Sequence, residues 1–216
     1  LLDSLEAGST HRIGLGSVNQ RYFLFHAGIG FDAAVVEQVE KKGGLLKRFA
    51  GHPLFVIAAI GTWLRYYDKK RPAFRISTRK MGDEEIGDLE TTGVEGLFSV
   101  CLNTDPYTYL GTRKISLAPH ANLDTPLAVV TFKNLTLKKL LPVVLGSLGI
   151  GKTTTTSSRI VDFRGDVTEA QAVAYKSVPL QVDGDFLGNF KEFSFQYKAA
   201  CLDVVMPIKP NDFQNS

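Results

Sequence analysis

Between residues 73 and 206 the chain carries eight short runs of alternating or β-branched apolar residues, at 73–79, 96–103, 127–132, 159–163, 170–175, 179–182, 190–197 and 202–206. A period of two places every second side chain on one face of a strand, so a region this dense in such runs must be sheet. Two more strands are expected at 11–15 and 20–26, the second crowded with Tyr22, Phe23 and Phe25. After Ala27-Gly28-Ile29-Gly30 the spacing changes. Ala33, Val36 and Val39, with charges between them, predict an amphipathic helix that stops at Gly43-Gly44. Further helices are expected at 45–67, broken at His52-Pro53, and at 135–148. The fold class is therefore α+β: a large, mainly antiparallel sheet or sandwich with a few helices.

With 216 residues, 44% of them hydrophobic, the chain has ample material for one large core, and a single domain is the expectation for residues 1–216. A net charge of +3 is too small to imply a nucleic-acid partner. The charge is unevenly spread, however. Lys41, Lys42, Lys47 and Arg48 form one basic cluster, and Arg65, Lys69, Lys70 and Arg71 form another just after Trp63, Tyr66 and Tyr67. Basic groups beside aromatic ones suit an anionic membrane surface, and ordinary solvated helix ends explain them equally well. Cys101 and Cys201 make no disulfide framework, and no signal peptide is present, which together point to a reducing, cytoplasmic compartment. The most apolar run, 54–60, is far shorter than the roughly 20 residues of a membrane span. His11, His26, His52 and His120 have no metal-ligand spacing and read as structural or surface residues.

Two glycine motifs resemble nucleotide sites without their context. Gly146-Ser147-Leu148-Gly149-Ile150-Gly151-Lys152-Thr153 fits the Walker A pattern, but a helix-like segment precedes it and a threonine run follows, where a strand and a helix are needed. Gly28-Ile29-Gly30-Phe31-Asp32-Ala33 fits G-x-G-x-x-A between a strand and a helix, but no second strand ending in an acidic residue follows. A tight strand-to-helix turn that needs glycine is the plainer reading of it.

The densest chemical signal is Val182-Asp183-Gly184-Asp185, where a strand runs into two carboxylates separated by glycine. Such a pair can ligate a metal, accept a proton, or form a type I′ hairpin turn, and sequence physics alone favours the turn. The same four residues resemble the V/L-D-G-E/D signature of the diacylglycerol kinase and sphingosine kinase catalytic family. Four other segments follow in the family's order: Ala27 to Ala33 resembles its G-x-G-F-D-A turn, and Leu102-Asn103-Thr104 its asparagine-ended strand. Leu117-Ala118-Pro119-His120-Ala121 with Asp124 resembles its P-x-A-x-x-D element, and Leu202-Asp203-Val204-Val205 its closing strand. The style of 105–111 is similar to that of bacterial members.

The resemblance implies the β-rich, lipid-binding C-terminal domain of a two-domain kinase that uses ATP and Mg2+ to phosphorylate a lipid alcohol. The family's Gly-Gly-Asp-Gly-Thr loop does not occur, and the chain opens at Leu1 on what reads as the tail of a helix. The expectation is thus a fragment lacking its ATP-binding half and inactive alone. Asp185 would stand where the family has a glutamate general base, one methylene shorter. Asp183 would orient it or bind the catalytic magnesium, and Gly28, Gly30, Asp32 and Asn103 would line the substrate cleft. Asp124 corresponds to a structural magnesium site in some members, although Thr125-Pro126 replaces the glycine expected after it. The implied partners are a lipid alcohol and the inner face of the plasma membrane, with a homodimer possible through an exposed sheet edge. The rival readings are a non-catalytic lipid-binding or interaction module, an NAD kinase-like enzyme and, last, a P-loop NTPase.

Overall fold

The computed structural model describes residues 9–31, 33, 34, 37, 71–86, 88–90, 92–110, 112–134 and 160–206. Eleven strands run through these residues: β1 (Thr10–Val18), β2 (Arg21–Phe23), β3 (His26–Gly30), β4 (Phe74–Lys80), β5 (Val94–Gly96), β6 (Phe98–Leu102), β7 (Thr108–Leu110), β8 (Arg113–Ile115), β9 (Leu127–Phe132), β10 (Val161–Val182) and β11 (Asp185–Val205). Every pairing is antiparallel. Nine strands form one sheet, and β7 and β8 form a separate hairpin. Helix appears among the described residues only at 31, 33, 34 and 37, so the described residues bear out the mainly antiparallel sheet of the expected fold and do not test its helical part. The helices expected at 45–67 and 135–148 lie outside the described residues, as do both basic clusters except Arg71. Among the described residues no helix is long and apolar enough to cross a membrane.

The organising element is β10, 22 residues long, hairpinned to the 21-residue β11. Along one edge β10 pairs with β11. Along its other edge it meets β9 at residues 161–167, β4 at 167–174 and β3 at 180–182. Because β3 pairs with β6, and β6 with β9, the chain of hydrogen bonds from β10 through β3, β6 and β9 returns to β10. Closure of this kind removes unpaired edges from the middle of the sheet. The three apolar runs at 159–163, 170–175 and 179–182 are thus pieces of one bent strand, and those at 190–197 and 202–206 are pieces of another. The bends fall at register shifts, between Val173 and Val178 for example, where the period-two pattern breaks.

Alternation along the strands sorts the core into two clusters. Ala170, Ala172 and Ala174 of β10 face Phe74 and Ile76 of β4, with Ile29, Leu180, Val182, Phe193 and Phe195. Small alanines on the central strand leave room for the phenylalanine rings opposite. All six residues of β9 are buried, because Leu127 and Val129 serve this cluster while Ala128, Val130 and Phe132 serve a second with Val100, Leu102 and Leu117. Cys101 packs in the first cluster, where burial pushes its thiol pKa well above the usual range. Cys201 is exposed.

Candidate functional site

The expected strand at 20–26 is two strands, β2 and β3, with a sharp corner at Leu24 and Phe25. The strand-to-helix turn expected at Gly28 to Ala33 falls at Gly30, where β3 ends and helix begins at residue 31. Gly28 sits mid-strand between Val100 and Gln181, and only Gly30, at φ 84, uses glycine's conformational freedom.

At 183–184 the turn reading holds. Val182 pairs with Asp185 across a two-residue loop, and Asp183 (φ 48) and Gly184 (φ 90) both lie in the left-handed region that a type I′ turn requires. The Asp183 carboxylate also has a partner set that no local pattern specifies. Its Oδ2 accepts the Leu24 N–H at 2.8 Å, and its Oδ1 accepts those of Phe25 and His26, each at 2.9 Å. Three successive amides at the corner converge on one carboxylate, a concavity that selects negative charge. The Asp183 N–H in turn donates to the His26 carbonyl at 2.9 Å.

Asn103 grips the same corner from the other side. Fully buried at the end of β6, its Nδ2 donates to the carbonyls of Leu24 (3.0 Å) and Gly14 (3.1 Å). Its backbone N–H donates to the Phe25 carbonyl at 2.9 Å. Gly14 is available because the β1–β11 register shifts between Ile13 and Leu15, which turns its backbone away from the ladder. The freed Gly14 N–H donates to the Leu123 carbonyl, next to Asp124. Asp124 itself is half exposed and bonded to His11 Nε2 at 2.6 Å. His11 lies opposite Val204, so the five segments quoted above meet at one end of the sheet although 177 positions separate Ala27 from Val204.

A cleft of about 500 Å³ opens beside the corner, lined by Phe25, His26, Asp105, Tyr107, Tyr109 and Asp183, with the buried Gln181 and the turn glycine Gly184 at its side. His26 and Tyr107 are in ring contact at 4.8 Å. Asp105 is tied down by the Ala118 N–H, which donates to its Oδ1 at 3.2 Å. The cleft wall is therefore aromatic, and its two carboxylates are engaged by backbone amides.

Of the residues singled out from sequence, Asp183 lines this cleft and Asn103 supports its wall. Asp185 is exposed on the strand leaving the turn, and its carboxylate makes no hydrogen bond or ion pair with any described residue. Gly28 and Gly30 are buried in the sheet and do not line the cleft. Asp32 lies outside the described residues, as does the Walker-like run at 146–153. Phe25, His26, Tyr107 and Tyr109 were not singled out for the cleft. The only signal for them is an aromatic pair two residues apart between Pro106 and Gly111, which says "one face of a short strand" and nothing about what that face meets. Among the described residues no group of three His, Cys, Asp or Glu side chains is placed to hold a metal.

No protein-family model matches the sequence, and no curated protein matches it. Solved structures do. A candidate diacylglycerol kinase from Bacillus anthracis superimposes over 97% of this chain and 60% of its own length, with a TM-score of 0.61 at 12% identity. A diacylglycerol kinase structure from the same organism covers 96% of this chain and 57% of its own length, with a TM-score of 0.53 at 12% identity. A further candidate diacylglycerol kinase from that organism gives a TM-score of 0.55, over 94% of this chain and 60% of its own length, again at 12% identity. The fold is that of the diacylglycerol-kinase-like structures, and this chain spans about 60% of their length.

Proposed function

We propose that this chain is the acceptor-binding part of an ATP-dependent lipid kinase, which transfers the γ-phosphoryl group of ATP to the hydroxyl of diacylglycerol or a related lipid alcohol. The observation that carries the reading is the division of labour at the Asp183-Gly184-Asp185 turn. One carboxylate accepts from three amides beside an aromatic cleft, and the other has no partner among the described residues. Shared fold with diacylglycerol-kinase-like structures supports the same reading.

In this scheme the cleft takes the apolar part of the acceptor against Phe25, Tyr107 and Tyr109. Asp185 takes the proton from the acceptor hydroxyl as the acceptor oxygen bonds to the γ-phosphorus and the bond to the departing ADP breaks, and Asp183 fixes the corner against which the acceptor lies. Phosphoryl transfer depends on positioning and charge neutralisation more than on covalent chemistry by the protein, so a pre-built cleft wall is a fitting contribution. ATP would supply the phosphoryl group with magnesium on its phosphates. Among the described residues no group of three His, Cys, Asp or Glu side chains is placed for that metal.

The test uses the full-length protein that contains this chain, ATP, and a panel of lipid alcohols, comparing the wild type with Asp185→Asn. A general base is worth about 10²–10⁴ in rate, so phosphorylation should fall by at least a hundredfold while lipid binding persists. Full activity in the variant would remove Asp185 as the base. Failure of the wild type to phosphorylate any lipid would favour a non-catalytic lipid-binding module or an NAD kinase-like enzyme.

A further inference from the structure

Resting on the reading of the cleft as a lipid-acceptor site, we propose that the lip of that cleft, made by Phe25 and the β7–β8 hairpin, is the surface that seats the protein on an anionic bilayer. Phe25 and Tyr109 are 55% and 50% exposed, an unfavourable state for two large rings unless something other than water covers them. Both line the mouth of the same cleft. In the hairpin register Tyr109 lies opposite Lys114, and Leu110 opposite Arg113. Arg113 and Lys114 are exposed and make no ion pair with any described residue. The carboxylates of Asp105 and Asp183 in the same cleft accept from backbone amides and form no ion pair with these cations.

Aromatic rings with free cations beside them match the headgroup layer of an anionic membrane, where rings sit among the glycerol backbones and cations meet lipid phosphates. Position argues for the same occupant. An acceptor with acyl chains keeps them out of water only if the cleft mouth touches the bilayer from which it is drawn. Among the described residues the two strands of the hairpin pair only with each other, as a two-stranded sheet separate from the main one.

The experiment is co-sedimentation of the full-length protein that contains this chain with phosphatidylcholine vesicles, with and without phosphatidylglycerol. Each Lys or Arg near an anionic surface is worth about fivefold in partitioning, so R113A/K114A should lower binding to the anionic vesicles by about thirtyfold and abolish the preference for them. F25A/Y109A should lower binding to both kinds of vesicle by about tenfold. All four positions are exposed, and unchanged circular dichroism and melting would establish that the variants fold. Equal partitioning of wild type and both variants overturns the proposal, as does a wild type that binds neither kind of vesicle. The kinase reading is tested separately, with the full-length protein and a short-chain lipid alcohol dissolved below its aggregation limit. There R113A/K114A should keep wild-type turnover, while its turnover on vesicle-embedded acceptor falls in step with binding. Vesicle binding lost with no phosphorylation of the soluble acceptor by the wild type would leave a membrane-docking surface and sink the kinase reading instead. If the variants lose binding to a protein partner but not to lipid, the surface serves a protein and the membrane assignment falls.

Discussion

Replacing Asp183 separates two roles that a sequence motif assigns together. Its carboxylate accepts three N–H bonds from Leu24, Phe25 and His26 at 2.8–2.9 Å. A hydrogen bond to a charged group contributes about 1.5–3 kcal/mol when protected, but water reaches this exposed turn and recovers part of the loss, leaving about 1 kcal/mol per bond. Asp183→Asn keeps the left-handed backbone comfortable and keeps one acceptor oxygen, while turning an amide NH2, itself a donor, toward the remaining N–H groups. It should cost about 1.5–2 kcal/mol. Asp183→Ala removes every acceptor and places alanine at φ 48, which adds about 1 kcal/mol for a total near 4. For a chain of this length each kcal/mol lowers the melting temperature by about 2–4 °C, so the alanine variant should melt about 8–16 °C lower. Thermal and denaturant unfolding would measure this, and amide hydrogen exchange would read the three N–H groups directly, with faster exchange confined to residues 24–26. Asp185→Asn, with no side-chain partner to lose, should stay within about 0.5 kcal/mol of wild type. If the two variants were equally stable, or exchange at 24–26 were unchanged by Asp183→Asn, the clamp would not be what holds the cleft wall.

Asn103→Ala should be as damaging as any loss in the first cluster, about 2–3 kcal/mol, because it leaves the carbonyls of Gly14 and Leu24 without their buried donor; equilibrium unfolding in urea checks it. Cys101 supplies a pH signature. Its folded pKa is raised by burial above the ordinary 9.0, so only the unfolded state ionises as pH passes that value. Stability is full below pH 9.0 and should then fall with rising pH by up to about 1.4 kcal/mol per unit; unfolding curves measured upward from neutral pH should lose this component in Cys101→Ala. In the native protein a thiol reagent should modify the exposed Cys201 promptly and Cys101 only on unfolding.

Strand positions and the Asp183-Gly184 hairpin were legible in the sequence because both depend on neighbours a few residues apart. Val182 and Asp185 bracket two residues able to adopt positive φ, and the strand expected at 127–132 has the bounds of β9. The convergence of Asn103, Asp124 and the Asp183 turn was legible only as resemblance, since nothing in the spacing of those segments requires them to touch. Three things were decided by the tertiary structure. Separate apolar runs merged into β10 and β11 because bulged strands bend without ending, and each bend shifts the alternation that a local reading follows. Gly28 became a mid-strand residue because β6 and β10 both offer it hydrogen bonds. Asp183 became a clamp because its partners lie 157–159 positions away, brought near only when β10 pairs with β3. A side chain's residue type limits what it can bond, and the closed sheet determines which of those bonds it makes.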